Sequence, residues 1–272
     1  YGDHRDLHRV DRRQRQMCIR DSFNNGGWKN IDGDTKDAVL YDDLRDSAKD
    51  YVKNTRLRVL EHIDCKGDFI LDMASGPIQF KEYLEYSKNF KKRYCVDLSS
   101  DALKEAKKKI GSHGVFFNES FFDINFKKDF FDCSLSLHTI YHIKKELQEE
   151  AVRKLISITK PGRKIIIIYA NPLAIDSLLS RTYKKLFKNK KNAQTPVLYF
   201  HAFPLRWWNR FEDEALIKLY PWRSFSATAQ KALFPNNKLG SKMFSLLFSL
   251  ENKFPKFFVR FFQYPMIILE KK

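Results

Sequence analysis

The chain has 272 residues, 43% of them hydrophobic, and a formal net charge of +17. This composition suits a folded chain with a core and excludes a disordered one, and no apolar run approaches the roughly 20 residues that cross a bilayer. The charge is uneven: from Asn171 to the end, 18 Lys or Arg face 6 Asp or Glu, and that stretch holds 20 of the 40 aromatic residues. A basic half points to an acidic or anionic partner surface.

Taken in order, "MCIRDS" (Met17 to Ser22) back-translates onto ATG TGT ATA AGA GAC AG, which resembles the end sequence of a transposase used to prepare DNA libraries. Residues 1–22 are therefore set aside as a sequencing scar, and Cys18 with them. Cys65, Cys95 and Cys133 remain, an odd number with no metal-ligand spacing; this predicts a reducing cytoplasm and no metal site.

Apolar residues at helical spacing from Val39 to Ile63 predict a helix. "DFILDMA" reads as a strand, a glycine turn follows, and "QFKEYLEYSKNF" reads as a helix. "RYCVDL" is a second strand, and "SSDALKEAKKKIG" a helix with Ser and Asp at its start and Gly111 at its end. "GVFFNES" and "FDCSLSLHTI" are two more strands. "KKELQEEAVRKLISITKPG" is a helix stopped by Pro161 and Gly162, and "KIIIIYA" is a fifth strand. Later, "EALIKLYPWRSFSA" and "YPMIILEKK" supply a sixth and a seventh. Alternating strands and helices, with strands that are apolar throughout, predict an α/β fold: a doubly wound, mostly parallel seven-stranded sheet. Its core spans 64–170 as five strand–helix units. Insertions follow the fifth strand (171–213) and the sixth (227–263), the latter helical in its middle. Residues 23–272 form one domain.

In such a sheet, ligands bind beyond the carboxyl ends of the strands, beside the first strand. There "FILDMASGPIQF" keeps one glycine, Gly76, with Ala74 and Ile78 at the other two places of a glycine loop. Asp97 stands 21 positions beyond Gly76, where an acidic side chain accepts ribose hydroxyl protons. A ribose acid without a full phosphate cradle points to a nucleoside cofactor lacking phosphates.

From Asp68 to about Asn171 these motifs, in this order, resemble a class I S-adenosylmethionine-dependent methyltransferase, with a Rossmann-like fold. "LDMASGP" resembles that family's first motif and "CVDLS" its second. "FFNESFFDINF…FFDCSLSLHTIYHI" resembles its third and fourth strands, and "ITKPGRKIIIIYANP" the helix, turn and strand after them. The resemblance implies S-adenosyl-L-methionine as cofactor. Asp72 would lie at its amino-acid part, with backbone contacts from Ala74, Ser75 and Gly76. Asp97 would hold the ribose and Leu98 would pack on the adenine. Ser120 and Phe121 would stand near the adenine edge, where the family often carries an Asp.

Methyl transfer from a sulfonium is an in-line displacement, so the protein must align the acceptor and exclude water. An oxygen acceptor also needs a base, for which His is suited. His138 follows the fourth strand on the cofactor side and is the first candidate base. His142 lies four residues on, and packing is an equal reading for it. His201 is a third candidate, and Tyr141 would position the substrate. His201, Arg206, Trp207 and Trp208 in "LYFHAFPLRWWNRF" could line a pocket, although the two Trp are equally suited to a core. Trp222 and Arg223 in "YPWRS" could grip a carboxylate or phosphate. The expected activity is methylation of a small-molecule or sugar-like, anionic or lipid-linked acceptor, with the last helices in peripheral contact with an anionic membrane. Packing of their Phe residues over the sheet is the alternative there. Two other readings stand beside it. One is an RNA methyltransferase, disfavoured because no appended RNA-binding module or NPPY-type motif is present. The other is a non-catalytic cofactor-binding or partner-binding protein on this fold.

Overall fold

The computed structural model describes residues 42–63, 66–175 and 199–272, and the backbone of 30–31 and 34–35. Residues 1–22, Cys65, and 176–198 of the expected first insertion lie outside the described residues, as do Val39 and Leu40 of the expected first helix.

Five parallel strands form the centre: β1 Gly67–Met73, β2 Phe90–Val96, β3 Gly114–Phe117, β4 Phe131–Leu137 and β5 Thr159–Ile168. β6 (Ala215–Arg223) and β7 (Tyr264–Lys271) complete a seven-stranded sheet in the order β3-β2-β1-β4-β5-β7-β6. β7 alone runs antiparallel, against both β5 and β6. The chain reverses direction across the sheet between β1 and β4, so the carboxyl ends of these two strands flank the switch point.

Both faces are covered, which is why Ile165, Ile166, Ile167 and Ile168 of β5 are all buried. On one face Leu71, Met73, Val96 and Ile167 pack under helix α4 (Lys145–Ile158) and a 3₁₀ turn, Leu205–Phe211. On the other, Ile70, Leu135, Ile168 and Ile268 meet Val59 and Ile63, which follow helix α1 (Lys49–Leu57), and Tyr86, which follows α2 (Lys81–Glu85). Helix α3 (Ser100–Ile110) closes this face over Ile78 and Cys95. The Ser99 hydroxyl caps it by accepting from Ala102 N–H at 3.2 Å. Helices α5 (Ala227–Leu233), α6 (Lys238–Lys253) and α7 (Pro255–Phe261) form the excursion between β6 and β7. Phe234, Phe244, Leu247 and Phe258 of this excursion pack on Ala48, Tyr51 and Val52.

Four expectations need correction. The first helix is short, because Asp43 accepts from the backbone and side chain of Arg45 and locks a turn before it. The second is only α2, since Phe90 N–H turns back onto Ser87 O at 3.0 Å and enters β2. No described helix joins β3 to β4; Lys154 of α4 instead fastens that crossing by donating to the carbonyls of Phe121, Phe122 and Ile124. Pro161 and Gly162 do not follow α4 as a loop but lie inside β5. They occupy an irregularity in its pairing with β4, where a missing N–H and a φ of 70° at Gly162 cost the ladder nothing.

Candidate active site

The turn after β1 keeps the backbone of a glycine loop with only one of its glycines. Ala74, Gly76 and Ile78 have φ of 58°, 56° and 50°, so all three sites of the loop are left-handed. A side chain there costs about 1–2 kcal/mol, and a β-branched one is the least tolerated. Ile78 is held there by its packing: it is fully buried against Cys95, Leu103 and Ala106, turned towards α3. Lys109 of α3 donates to its carbonyl at 2.9 Å. The conformation therefore follows from the fold, and the Ile side chain stays out of the loop.

The loop N–H groups are already committed. Ala74 and Ser75 donate to Val96 O at 2.8 and 3.2 Å, and Gly76 donates to Asp97 Oδ2 at 2.8 Å. With these three N–H groups engaged, the backbone that Ala74, Ser75 and Gly76 can offer a ligand is carbonyl oxygen, an acceptor suited to an ammonium group. Asp97 Oδ1 accepts from Ser99 N–H at 2.8 Å. Burial pushes this carboxyl up to about 6, against the pull of the Ser99 and Gly76 N–H groups. Two carboxylate oxygens offer about four acceptor sites, so these two bonds leave room for ribose hydroxyls. Leu98 is half-buried beside it, and Asn118, which the sequence reading missed, ties Asp97 O and Leu98 O together through its amide at 3.1 and 3.0 Å.

Asp72, expected at the amino-acid part of the cofactor, lies beneath the loop at the end of β1. It is buried, and its Oδ2 takes two bonds from Arg93, from Nε at 3.1 Å and from Nη2 at 2.5 Å. Arg93 also donates to Tyr83 O and is itself 1% exposed. The charge of Asp72 is thus answered inside the protein, and the pair braces the strand beneath the loop. Phe121 is likewise a core residue, packed with Ile124 under α4. Ser120 beside it is buried and accepts from Phe122 N–H at 3.3 Å.

At the carboxyl end of β4 the sequence candidates do come together. His138, also left-handed (φ 59°), shares a 2.9 Å hydrogen bond between Nδ1 and the Tyr141 hydroxyl. Its ring lies 4.5 Å from Trp222 and 5.4 Å from Tyr264, centre to centre. Burial, then the nearby Arg223, lowers the imidazole from 6.5 to about 3. His142 bonds through Nδ1 to Tyr199 O at 2.8 Å, and burial lowers it too. His201 donates its N–H to Tyr141 O at 2.8 Å, while its Nε2 is buried with no partner. The segment at 199–203 is thereby laid over Tyr141.

The remaining candidates lie in the core, in an ion pair or in solvent. Trp207 and Trp208 are buried in the main core and pack edge-on to each other, because an apolar 3₁₀ turn must cover β5–β7. Arg206 points to solvent. Arg223 lies over the rings of Trp222 and Tyr264, but its Nη1 bonds Asp42 Oδ1 at 2.5 Å, so its charge is spent. Asp42 also holds Arg56 at 3.0 Å, and Arg56 reaches Glu82 at 3.2 Å and lies 3.2 Å over the Phe80 ring. These ion pairs latch the segment before α1 across the carboxyl edge. Sequence reading missed Asp42, Arg56 and Arg93, since partners 14 to 181 positions apart leave no local pattern. Among the described residues no cluster of His, Cys, Asp or Glu suits a metal.

The strand order, the left-handed loop and the acid at the end of β2 define a class I methyltransferase fold. Residues 71–167 match a family described as methyltransferase domain, a match that covers about a third of the chain and is consistent with a class I S-adenosylmethionine-dependent methyltransferase. No curated protein matches the chain. Among solved structures, it resembles a SAM-dependent methyltransferase from Archaeoglobus fulgidus (16% identity, 82% of this chain and 94% of that one, TM-score 0.51). It also resembles a geranyl diphosphate methyltransferase in complex with GPP and sinefungin (14%, 94% and 99%, TM-score 0.57). A third is a phosphoethanolamine N-methyltransferase 2 from Haemonchus contortus in complex with phosphomonomethylethanolamine and S-adenosylhomocysteine (12%, 93% and 60%, TM-score 0.55). At these identities the likeness is one of fold.

Proposed function

We propose that residues 23–272 act as one methyltransferase domain in a reducing cytoplasm, and that they methylate a small, anionic or lipid-linked acceptor with S-adenosylmethionine. The observation that carries this reading is the loop at 74–78. It holds a glycine-loop backbone at a cost in strain that plain capping of β1 would not need. Asp97 would hold the ribose, the loop carbonyls the ammonium group, and Leu98 the adenine. The bound cofactor would supply a methyl group on a sulfonium.

The chain's own contribution is alignment and dryness. His138 and Tyr141, hydrogen-bonded to each other and set edge-on or tilted against Trp222, Tyr264 and Phe200, offer a rigid polar pair inside an aromatic wall. An imidazole near 3 is neutral at pH 7 but a weak base, so His138 orients the acceptor more than it removes a proton. An acceptor whose lone pair attacks without prior deprotonation suits such a site. The basic charge of the C-terminal half favours an acceptor with phosphate or carboxylate groups. Two of the similar structures hold phosphate-bearing small molecules, in keeping with this class.

The test is transfer of labelled methyl from S-adenosylmethionine to a panel of phosphorylated, carboxylated and lipid-linked acceptors, with kcat followed from pH 6 to 8. Turnover with an anionic acceptor and no inflection in that window is expected. Tight cofactor binding without transfer to any acceptor would turn the reading to a non-catalytic cofactor-binding protein. An inflection near 6.5 that His138→Asn removes would restore a true base.

A further inference from the structure

We infer that the α5–α7 excursion docks the protein on an anionic lipid surface. Of the apolar residues in this segment, some do pack over the fold: Phe234, Phe244, Leu247 and Phe258 are buried. Another set does not. Leu233, Leu239, Met243, Leu246, Phe254 and Phe257 are exposed, Leu246 at 59% and Phe257 at 52%.

On α6 these sets lie on separate faces. At about 100° per residue, Gly240, Phe244, Leu247 and Glu251 share one arc of about 60°, the buried one. Leu239, Met243 and Leu246 share a second arc of about 60° beside it, with the half-buried Leu250 at its base packing on the core, and Lys238, Lys242 and Lys253 a third of similar width beyond that. A helix needs one apolar face to join a fold; α6 has two, and the second is bordered by lysines. That is the arrangement of a helix lying in a bilayer interface, with alkyl groups below the headgroups and ammonium groups among them.

Charge selects the occupant. Lys231, Lys238, Lys242, Lys253, Lys256 and Arg260 are all exposed, whereas the one acid between Ser226 and Gln263, Glu251, is fully buried. Glu251 is consumed by Arg58 at 2.7 Å and by the hydroxyls of Tyr51 and Ser224. A second copy would bring like charges together. The exposed stripe of α6 is aliphatic, so base stacking on RNA is not what it offers. The excursion leaves the carboxyl end of β6 and returns at the start of β7, at the edge that carries His138 and Asp97. Docking would therefore set that edge towards the lipid.

Full-length protein is sedimented with vesicles of phosphatidylcholine, with and without phosphatidylglycerol, over a range of salt. Binding to the anionic vesicles that weakens as salt rises is expected. Leu239→Gln with Leu246→Gln should lower it about tenfold or more, and Lys238→Glu with Lys242→Glu should lower it and flatten its salt dependence. Both pairs lie in solvent, so unchanged melting shows that the fold is kept. Vesicle capture requires no cofactor, so this result stands or falls apart from the methyltransferase reading. Three outcomes would overturn it: no sedimentation at low salt, double-Leu variants that bind as the parent does, or retention of single-stranded RNA or self-association without vesicle binding.

Discussion

The turn after β1 and the exposed stripe of α6 both break a rule of sequence design, in opposite ways. At 74–78 the side chains are well packed and the backbone is strained: Ile78 is fully buried at a φ that suits glycine. On α6 the backbone is regular and capped by Asn237, while Leu239 and Leu246 lie in water. Strain in a backbone persists only where surrounding packing over-determines it, and a contiguous exposed apolar stripe marks a surface that something outside covers. The first region therefore points inward, to a ligand held by the fold, and the second outward.

The largest expected effect sharpens the inward half. Arg93→Met leaves Asp72 charged, buried and alone beneath the loop, and should cost about 3–5 kcal/mol in urea unfolding. A loss under about 1 kcal/mol would mean that the pair is not the brace described here. Next, Ile78→Gly removes a fully buried side chain but relieves the left-handed strain. The first effect is larger, so the variant should lose about 1–3 kcal/mol while binding cofactor as before. Weakened binding would show that Ile78 reaches into the loop.

His138 gives a smaller effect with a definite sign. Its folded value of about 3 lies below the ordinary 6.5, so the folded state binds fewer protons. That stability is present above pH 6.5 and is lost as pH falls towards 3. Asp97, raised to about 6, acts in the opposite sense between about 4 and 6, which the parent protein alone would not separate. Against His138→Asn, a residue that tolerates the left-handed region, the parent should lose about 1 kcal/mol more between pH 7 and 5.5. Equal pH dependence would contradict the buried imidazole. Smallest of all, Ala74→Gly should stabilise by up to about 1 kcal/mol, since only the strain is removed.

Much of the frame was legible because its signals are local. The apolar runs of β1, β2, β4, β5 and β7 and the cap of α3 announce themselves over seven or so residues, and the doubly wound, mostly parallel sheet followed from their alternation with helices; the order of the strands within it did not. The loop and Asp97 were legible through a spacing that the βαβ unit imposes. What was hidden depends on distant partners. Nothing in "KKRYCVD" says that Arg93 turns inward to Asp72, and nothing near Arg223 says that Asp42 takes its charge. Trp207 and Trp208 could be read as a pocket or as a core with equal ease, because sequence shows an aromatic side chain but not what covers it. The apolar stripe of α6 was equally open until burial separated it from its neighbours.

The central claim is that 74–78 and Asp97 form a cofactor cradle despite two missing glycines. Calorimetric titration of S-adenosylmethionine and S-adenosylhomocysteine into protein lacking residues 1–22, beside Asp97→Ala, tests it most directly. Micromolar-range binding to the parent, weakened at least about tenfold in Asp97→Ala and also below about pH 6 as the carboxyl takes its proton, is the predicted result. No heat from a protein that melts cooperatively would contradict it, and would make the loop a strained relic of a fold that no longer holds the cofactor.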